Sequence, residues 1–386
     1  MPNRLPARLR TLLLCFVLFS AIQCARQLDP NVVFSVPIAR AHDPNPAEYI
    51  QIEEAGRVPY NLPLRPLIVG SDILVTDTAR SLVRVYQGSS EEPEYLLGDL
   101  DPAEVGGEVE VLPLPAGVPG LMAVGPENQR IYIESRQPAA TGPDRDASAT
   151  PPVAPYQRPS HTGSYLNYQP SMILRLNDDY ELIGKLGLEG YDSDRPFPQI
   201  FRLHAHADDM VSVLHTMPGS DERVLSIYSG GRLRHRLRGS EVYVPTAEDR
   251  QRHHVEVEDI APGLDASFVI SSIAIRNRQD YGLVARVLLR TSLSENGQTT
   301  EIYRNDDPER VFASTRPDGG FVLMTGEEDG SQVLFRLFGP EGEYVKNLLV
   351  SYPGLLGSWR ETFVTLDEKF FSTRLFLGRF ELYEWK

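Results

Sequence analysis

The densest run of side chains able to do chemistry is His204-Ala205-His206-Ala207-Asp208-Asp209. Alternate residues of an extended chain share a face, so His204 and His206 point together, with Asp208 further along the same side. Imidazole and carboxylate are zinc donors, and a catalytic zinc site needs three protein ligands and an open position. His204, His206 and Asp208 are therefore the candidate metal ligands. A plainer reading competes with this one. If Leu203 faces a core, both histidines lie on the opposite, solvated side of their sheet. Acidic groups recur at Asp178-Asp179, Asp208-Asp209, Asp306-Asp307 and Glu327-Glu328-Asp329. Their oxygens suit calcium, and their expected place at turns equally suits local hydrogen bonding to the backbone. No cofactor is assigned from the sequence; calcium or zinc is the alternative this composition admits. His253-His254 falls in a polar stretch and reads as loop. The chain has no nucleophile elbow, P-loop, dinucleotide-binding glycine motif, cysteine pair or zincin helix, and no catalytic residue is assigned.

Cys24 invites a different chemistry. Arg4, Arg8 and Arg10 precede the apolar run from Thr11 to Ile22. That run is short of the ~20 residues that span a bilayer and has the layout of a secretory signal peptide, residues 1–23. Ala21-Ile22-Gln23-Cys24 resembles a bacterial lipobox, in which the cysteine becomes the first mature residue and its thiol carries lipid. Ile22 and Gln23 depart from the strict pattern and are closer to the relaxed lipoboxes of spirochaete lipoproteins. The two cysteines are Cys15 and Cys24. Cys15 would leave with the signal, so Cys24 has no disulfide partner within the chain. Lipidation at Cys24 predicts an exported protein held on a membrane, in the periplasm or at the cell surface. More than one acyl chain gives a firm anchor.

The net charge is −15, and becomes −18 once the three arginines of residues 1–23 are removed. Such a chain lacks the basic surface by which nucleic-acid binders displace counterions. The plain reading of the acidity is solubility. The length of 386 residues fits two ordinary domains or one large repeat domain.

The elements that would position these residues are short strands. Thirty glycines and 31 prolines, with 17 tyrosines and 15 phenylalanines, suit many turns and aromatic-rich strands. No long stretch shows a 3.6-residue apolar period with caps. Residues 67–98 divide into four extended runs. A second unit starts near Gly120 and is interrupted by residues 137–169, a Pro-, Ala-, Thr- and Ser-rich loop expected to be disordered. It resumes over Ser171 to Leu186. Further units run over 197–237, 267–303, 311–350 and 361–385. Inner strands are expected to start near Ile68, Leu121, Ile200, Phe268, Phe312 and Phe363. The expected fold is all-β: a β-propeller of six four-stranded blades over residues 67–386, with seven the alternative count. The last unit lacks a strand. Residues 24–66 form a tether that can supply it from Val32–Val36 or Tyr49–Ile52, removing the open edge. Trp359 and Trp385 read as packing anchors.

Residues 171–203 resemble the NHL class of propellers. Ile173-Leu-Arg-Leu-Asn-Asp-Asp179, Gly187-Leu-Glu-Gly190 and Arg195-Pro-Phe-Pro-Gln-Ile200 stand in that class's outer-strand and crossover roles, and Phe338-Gly-Pro-Glu-Gly342 is a partial second copy. With the lipobox, this pattern is similar to uncharacterised propeller lipoproteins of spirochaetes. The resemblance brings no catalytic residue. The reading of the whole chain is a monomeric, lipid-anchored binding or scaffold module for a protein or glycan of the cell envelope. The alternative is a lactonase-like hydrolase with a divalent cation on the propeller axis.

Overall fold

The computed structural model describes residues 25–40, 50–52, 54–55, 58–59, 65–78, 80–105, 109–125, 130–137, 170–220, 222–243, 246, 251–294, 297–307, 309–326, 331–352 and 359–386. Cys24 and residues 138–169 lie outside them, as do Glu327, Glu328 and Asp329.

Six antiparallel sheets form the six blades of a β-propeller. From the inner strand outward, the first blade is Leu67–Val69, Asp72–Asp77, Leu82–Gln87 and Tyr95–Gly98. The second is Val118–Val124, Ile131–Arg136, Ser171–Leu176 and Leu182–Gly187. The third is Ile200–His206, Met210–Thr216, Arg223–Ser229 and Arg232–Arg238. The fourth is His253–Pro262, Phe268–Asn277, Leu283–Ser292 and Thr299–Asn305. The fifth is Val311–Thr315, Phe321–Gly326, Gln332–Phe338 and Tyr344–Ser351. The sixth takes Trp359–Val364, Phe370–Phe376 and Arg379–Trp385 from one end of the chain and Pro30–Arg40 from the other.

That last pairing closes the ring. Pro30 stands opposite Trp385 and Pro37 opposite Arg379 in an antiparallel ladder. The backbones of Asp29 and Lys386 exchange hydrogen bonds of 3.0 and 3.1 Å. Of the two segments expected to supply the missing strand, Val32–Val36 lies in it, and Ile50–Ile52 is added outside it in parallel. Three other blades also carry a fifth strand. Glu110–Pro113 lies on the first, Gly190–Tyr191 on the second, and Arg26–Leu28 on the fifth. Among the described residues the third and fourth blades end at four strands.

Both faces of every blade are covered by a neighbour, so the second strands are buried on both sides rather than on alternate residues. Val269, Ile270, Ile273 and Ala274 in Phe268–Asn277 are all buried. Each seam between blades is an apolar cluster. Leu74, Val83 and Val85 meet Ile131, Ile133 and Leu176. Ile173, Leu186 and Phe197 meet Leu203, Val211 and Val213. Phe321 and Phe338 stack at 4.8 Å beside Phe268 and Ile270. At the closing seam Phe34, Val36 and Phe380 pack on Ile73, Val75 and Tyr86.

One inner strand departs from the sequence reading, which starts the fourth blade near Phe268. His253–Pro262 is the inner strand and Phe268–Asn277 the second. His253-His254 therefore opens a strand rather than sitting in a loop. The run His-His-Val-Glu-Val-Glu-Asp looks polar because its acids face arginines. Glu258 accepts from Arg286 at 2.5 and 3.1 Å and from Arg276 at 3.2 Å, and Asp259 pairs with Arg202.

Candidate functional site

The predicted metal ligands lie at the third inner strand and the turn that follows it. His204 and His206 share a face, as strand alternation requires. That face is packed against the fourth blade, so the expectation of a solvated side is corrected: in a closed ring the second face of a blade is covered too. The His206 ring is fully engaged. Its Nδ1–H donates to the Leu264 carbonyl at 2.9 Å, and its Nε2 accepts from the Ser212 hydroxyl at 2.8 Å. Burial holds its pKa below the ordinary imidazole value. Burial also lowers that of His204, well below the usual range, with the positive charges of Arg202 and Arg65 adding to the effect. Asp208 is exposed on the hairpin turn with φ 57°. The turn thus separates Asp208 from the histidines. Among the described residues no group of three His, Cys, Asp or Glu side chains is placed to hold a metal ion.

What these residues do is tie blades together. Asp209, beside Asp208, accepts from the Tyr132 hydroxyl at 2.8 Å and from Arg175 at 3.2 Å, both from the second blade. Burial, with the Asp209 carboxylate, pushes the Tyr132 pKa up to about 12, so the phenol stays a donor at any ordinary pH. The other seams have counterparts. Tyr180 donates to Asp72 between the first and second blades, and Arg202 pairs with Asp259 between the third and fourth. The Thr315 hydroxyl donates to the Pro262 carbonyl at 2.7 Å between the fourth and fifth. Arg316 donates to Glu368 at 2.8 Å between the fifth and sixth. Arg65 donates to Glu361 at 2.6 Å between the sixth and first. A carboxylate that accepts such hydrogen bonds is held in a fixed orientation.

The surface with uncommitted chemistry lies on the outer strand of the third blade, beside the fourth. The third blade's outer strand reads Arg232-Leu-Arg-His-Arg-Leu-Arg238. Arg232, Leu233, Arg234, His235 and Arg238 are exposed. Arg236 turns inward, donating to the Leu188 carbonyl at 3.2 Å. Beside this strand a groove of about 420 Å³ opens between the two blades, lined by His235, Ser267, Phe268, Arg290, Ser292 and Ser294 among others. The Arg290 guanidinium lies 4.1 Å over the Phe268 ring and donates to the Gly319 carbonyl at 3.1 Å. Stacking and hydrogen bonding hold this cation in place at the groove. From the sequence, residues 232–237 are expected only as a strand. The available signal was four arginines in seven residues of a chain whose net charge is −15.

No protein-family model matches the chain, and no curated protein does. Solved structures match its shape loosely. The Pyrococcus horikoshii acylaminoacyl peptidase aligns over 84% of this chain and 44% of its own, at 14% identity and TM-score 0.43. A putative 6-phosphogluconolactonase from Bacteroides fragilis aligns over 74% and 70%, at 12% identity and TM-score 0.34. The Dos1 propeller aligns over 81% and 68%, at 10% identity and TM-score 0.36. The chain spans less than half the length of the peptidases it matches.

Proposed function

We propose that this chain is a binding module of the cell envelope, tethered by lipid at Cys24, that engages a partner protein through the outer surface of its third and fourth blades. The observation that carries this reading is how charge is distributed. The ionisable groups of the seams are largely used up on one another, while the arginine-rich strand turns the uncommitted guanidinium groups of Arg232 and Arg234 outward. Fixed arginines recognise carboxylates through their planar fork, and a propeller offers a rigid frame on which to display them. The NHL-like crossover at residues 187–200 and the relaxed lipobox agree with a propeller lipoprotein of the spirochaete kind. Fold alone does not set function, so the assignment rests on this surface.

Two measurements test the proposal. Cells fed labelled palmitate should incorporate it into the parent chain and not into Cys24→Ala, which should leave the membrane fraction. In-cell cross-linking should capture a defined envelope protein. Capture of glycan alone would replace protein with glycan as the partner. Lactone hydrolysis by the purified chain, stimulated by calcium or zinc, would displace binding in favour of a hydrolase.

A further inference from the structure

The geometry points to the Arg232–Arg238 edge as the seat of an added fifth strand, contributed by an acidic, extended segment of a partner protein. This deepens the binding reading above and rests on it.

The first ground is architectural. Four of the six blades carry a fifth strand drawn from the chain itself, three of them parallel to the fourth strand. The fold thus accepts outer strands readily, and among the described residues the third blade's edge has none. An edge strand presents unpaired N–H and C=O groups in a row, which a peptide can continue. Among the described residues the two ends of this edge are approached from within, where the Tyr191 N–H donates to the Gly231 carbonyl at 3.0 Å and the Arg238 N–H to the Glu241 carboxylate at 3.1 Å.

The second ground is electrostatic. Charges on an edge strand commonly serve to keep other strands away, and the fourth blade does this neutrally. Its edge, Thr299–Asn305, carries Arg304 donating to Glu301 at 2.8 Å. The third blade instead sets four arginines on one strand. Arg238 has Glu222 nearby, whose pKa it helps to lower. The Arg232 and Arg234 side chains have no hydrogen bond or ion pair among the described residues. Like charges this close repel, and carboxylates at alternate positions of an incoming strand relieve that repulsion across the pair. Exposed Leu233 supplies an apolar contact between the charges. The occupant is therefore a segment alternating acidic with apolar or β-branched residues.

The test uses the full chain and a fluorescein-labelled nonapeptide alternating Glu with Val, read by anisotropy. Saturable binding that weakens with salt is expected. The doubly reversed variant R232E/R234E should bind at least about tenfold more weakly with an unchanged melting temperature. The same peptide N-methylated at alternate amides, which keeps the charge and removes backbone pairing, should lose about as much. Equal binding by the N-methylated peptide, or by R232E/R234E, overturns the proposal. So does failure to bind peptide while phosphatidylglycerol vesicles bind the parent and not the variant, which makes the edge a lipid contact. If cross-linking captures a partner that R232E/R234E still captures, the binding module stands and this edge assignment falls. If nothing is captured in the envelope yet the peptide binds at the edge, the edge assignment stands and the envelope reading falls.

Discussion

The seams between blades and the outer edge of the third blade use arginine in opposite ways. At the seams and inside the blades most buried arginines have an acceptor within reach, Arg336 with its buried, unpartnered Nε being an exception. Arg84 and Asp77 are both 0% exposed, with Nε and Nη2 donating to one carboxylate oxygen at 3.1 and 2.9 Å. Arg136 donates to Glu134 at 3.0 and 3.2 Å, and the same carboxylate accepts from the Ser171 hydroxyl and the Leu121 N–H at 2.9 Å each. Gly120 is required there, because a Cβ would collide with the Glu134 carboxylate. At the outer edge Arg232 and Arg234 meet solvent. A charge taken out of water needs a partner or the fold does not survive. A charge left at the rim needs none. Pairing therefore separates what belongs to the architecture from what is left for a partner, and the contrast can be tested from its strongest side to its weakest.

The largest effect is expected at ring closure. Phe34 is buried against Tyr86, with ring centroids 4.9 Å apart, on a strand about 345 residues from its partner. Phe34→Asp places a charge in that seam and should cost more than about 5 kcal/mol, with loss of the cooperative thermal transition by circular dichroism. A variant that melts like the parent would mean that the N-terminal strand is not part of the core.

Next comes the interior ion pair. Asp77→Ala strands the Arg84 guanidinium and should destabilise by about 3–5 kcal/mol in urea titration, whereas Asp77→Leu combined with Arg84→Met should recover most of it. If the double variant is as unstable as the single one, the pair is doing more than neutralising itself.

A smaller effect depends on pH. His215 is buried, donating from Nδ1 to the Thr216 carbonyl and accepting at Nε2 from the Ser226 hydroxyl, each at 2.8 Å. Burial lowers its pKa to about 4 in the fold. The unfolded chain then binds the proton first. This stability is full above pH ~6.5 and is lost as pH falls towards 4, by about 3 kcal/mol in all. His206 is lowered in the same direction. His215→Gln keeps a donor and an acceptor and should flatten the stability–pH slope in this window. An unchanged slope would place the titration elsewhere.

The sequence disclosed these features unevenly, and the reason is physical. The second strands were legible as strands because both their faces are buried and they are mostly apolar, although Phe268–Asn277 reads in the sequence as an inner strand. The closing strand was legible as a deficit in the last unit. The fourth inner strand was not, because its acids are neutralised by Arg202, Arg276 and Arg286, which lie far away in sequence. The candidate histidines were visible by type, but their environment was not: nothing in His204-Ala-His206 says that the fourth blade covers that face. The arginine-rich edge was visible in composition and was passed over as one strand among many.

The weakest effect sharpens the contrast most. Arg232→Ala with Arg234→Ala removes two guanidinium groups that make no hydrogen bond or ion pair with a described residue, from a strand held by pairing to Arg223–Ser229. If these arginines belonged to the fold as Arg84 does, their loss would be felt in unfolding. Exposed positions without such contacts usually change stability by no more than about 0.5 kcal/mol. The double variant should therefore unfold within that margin of the parent in urea, or slightly later as like-charge repulsion is relieved. A destabilisation of about 2 kcal/mol would move these arginines to the architectural side of the comparison. A neutral result leaves two charged side chains on the third blade that stability does not account for, as expected of a surface that meets a partner.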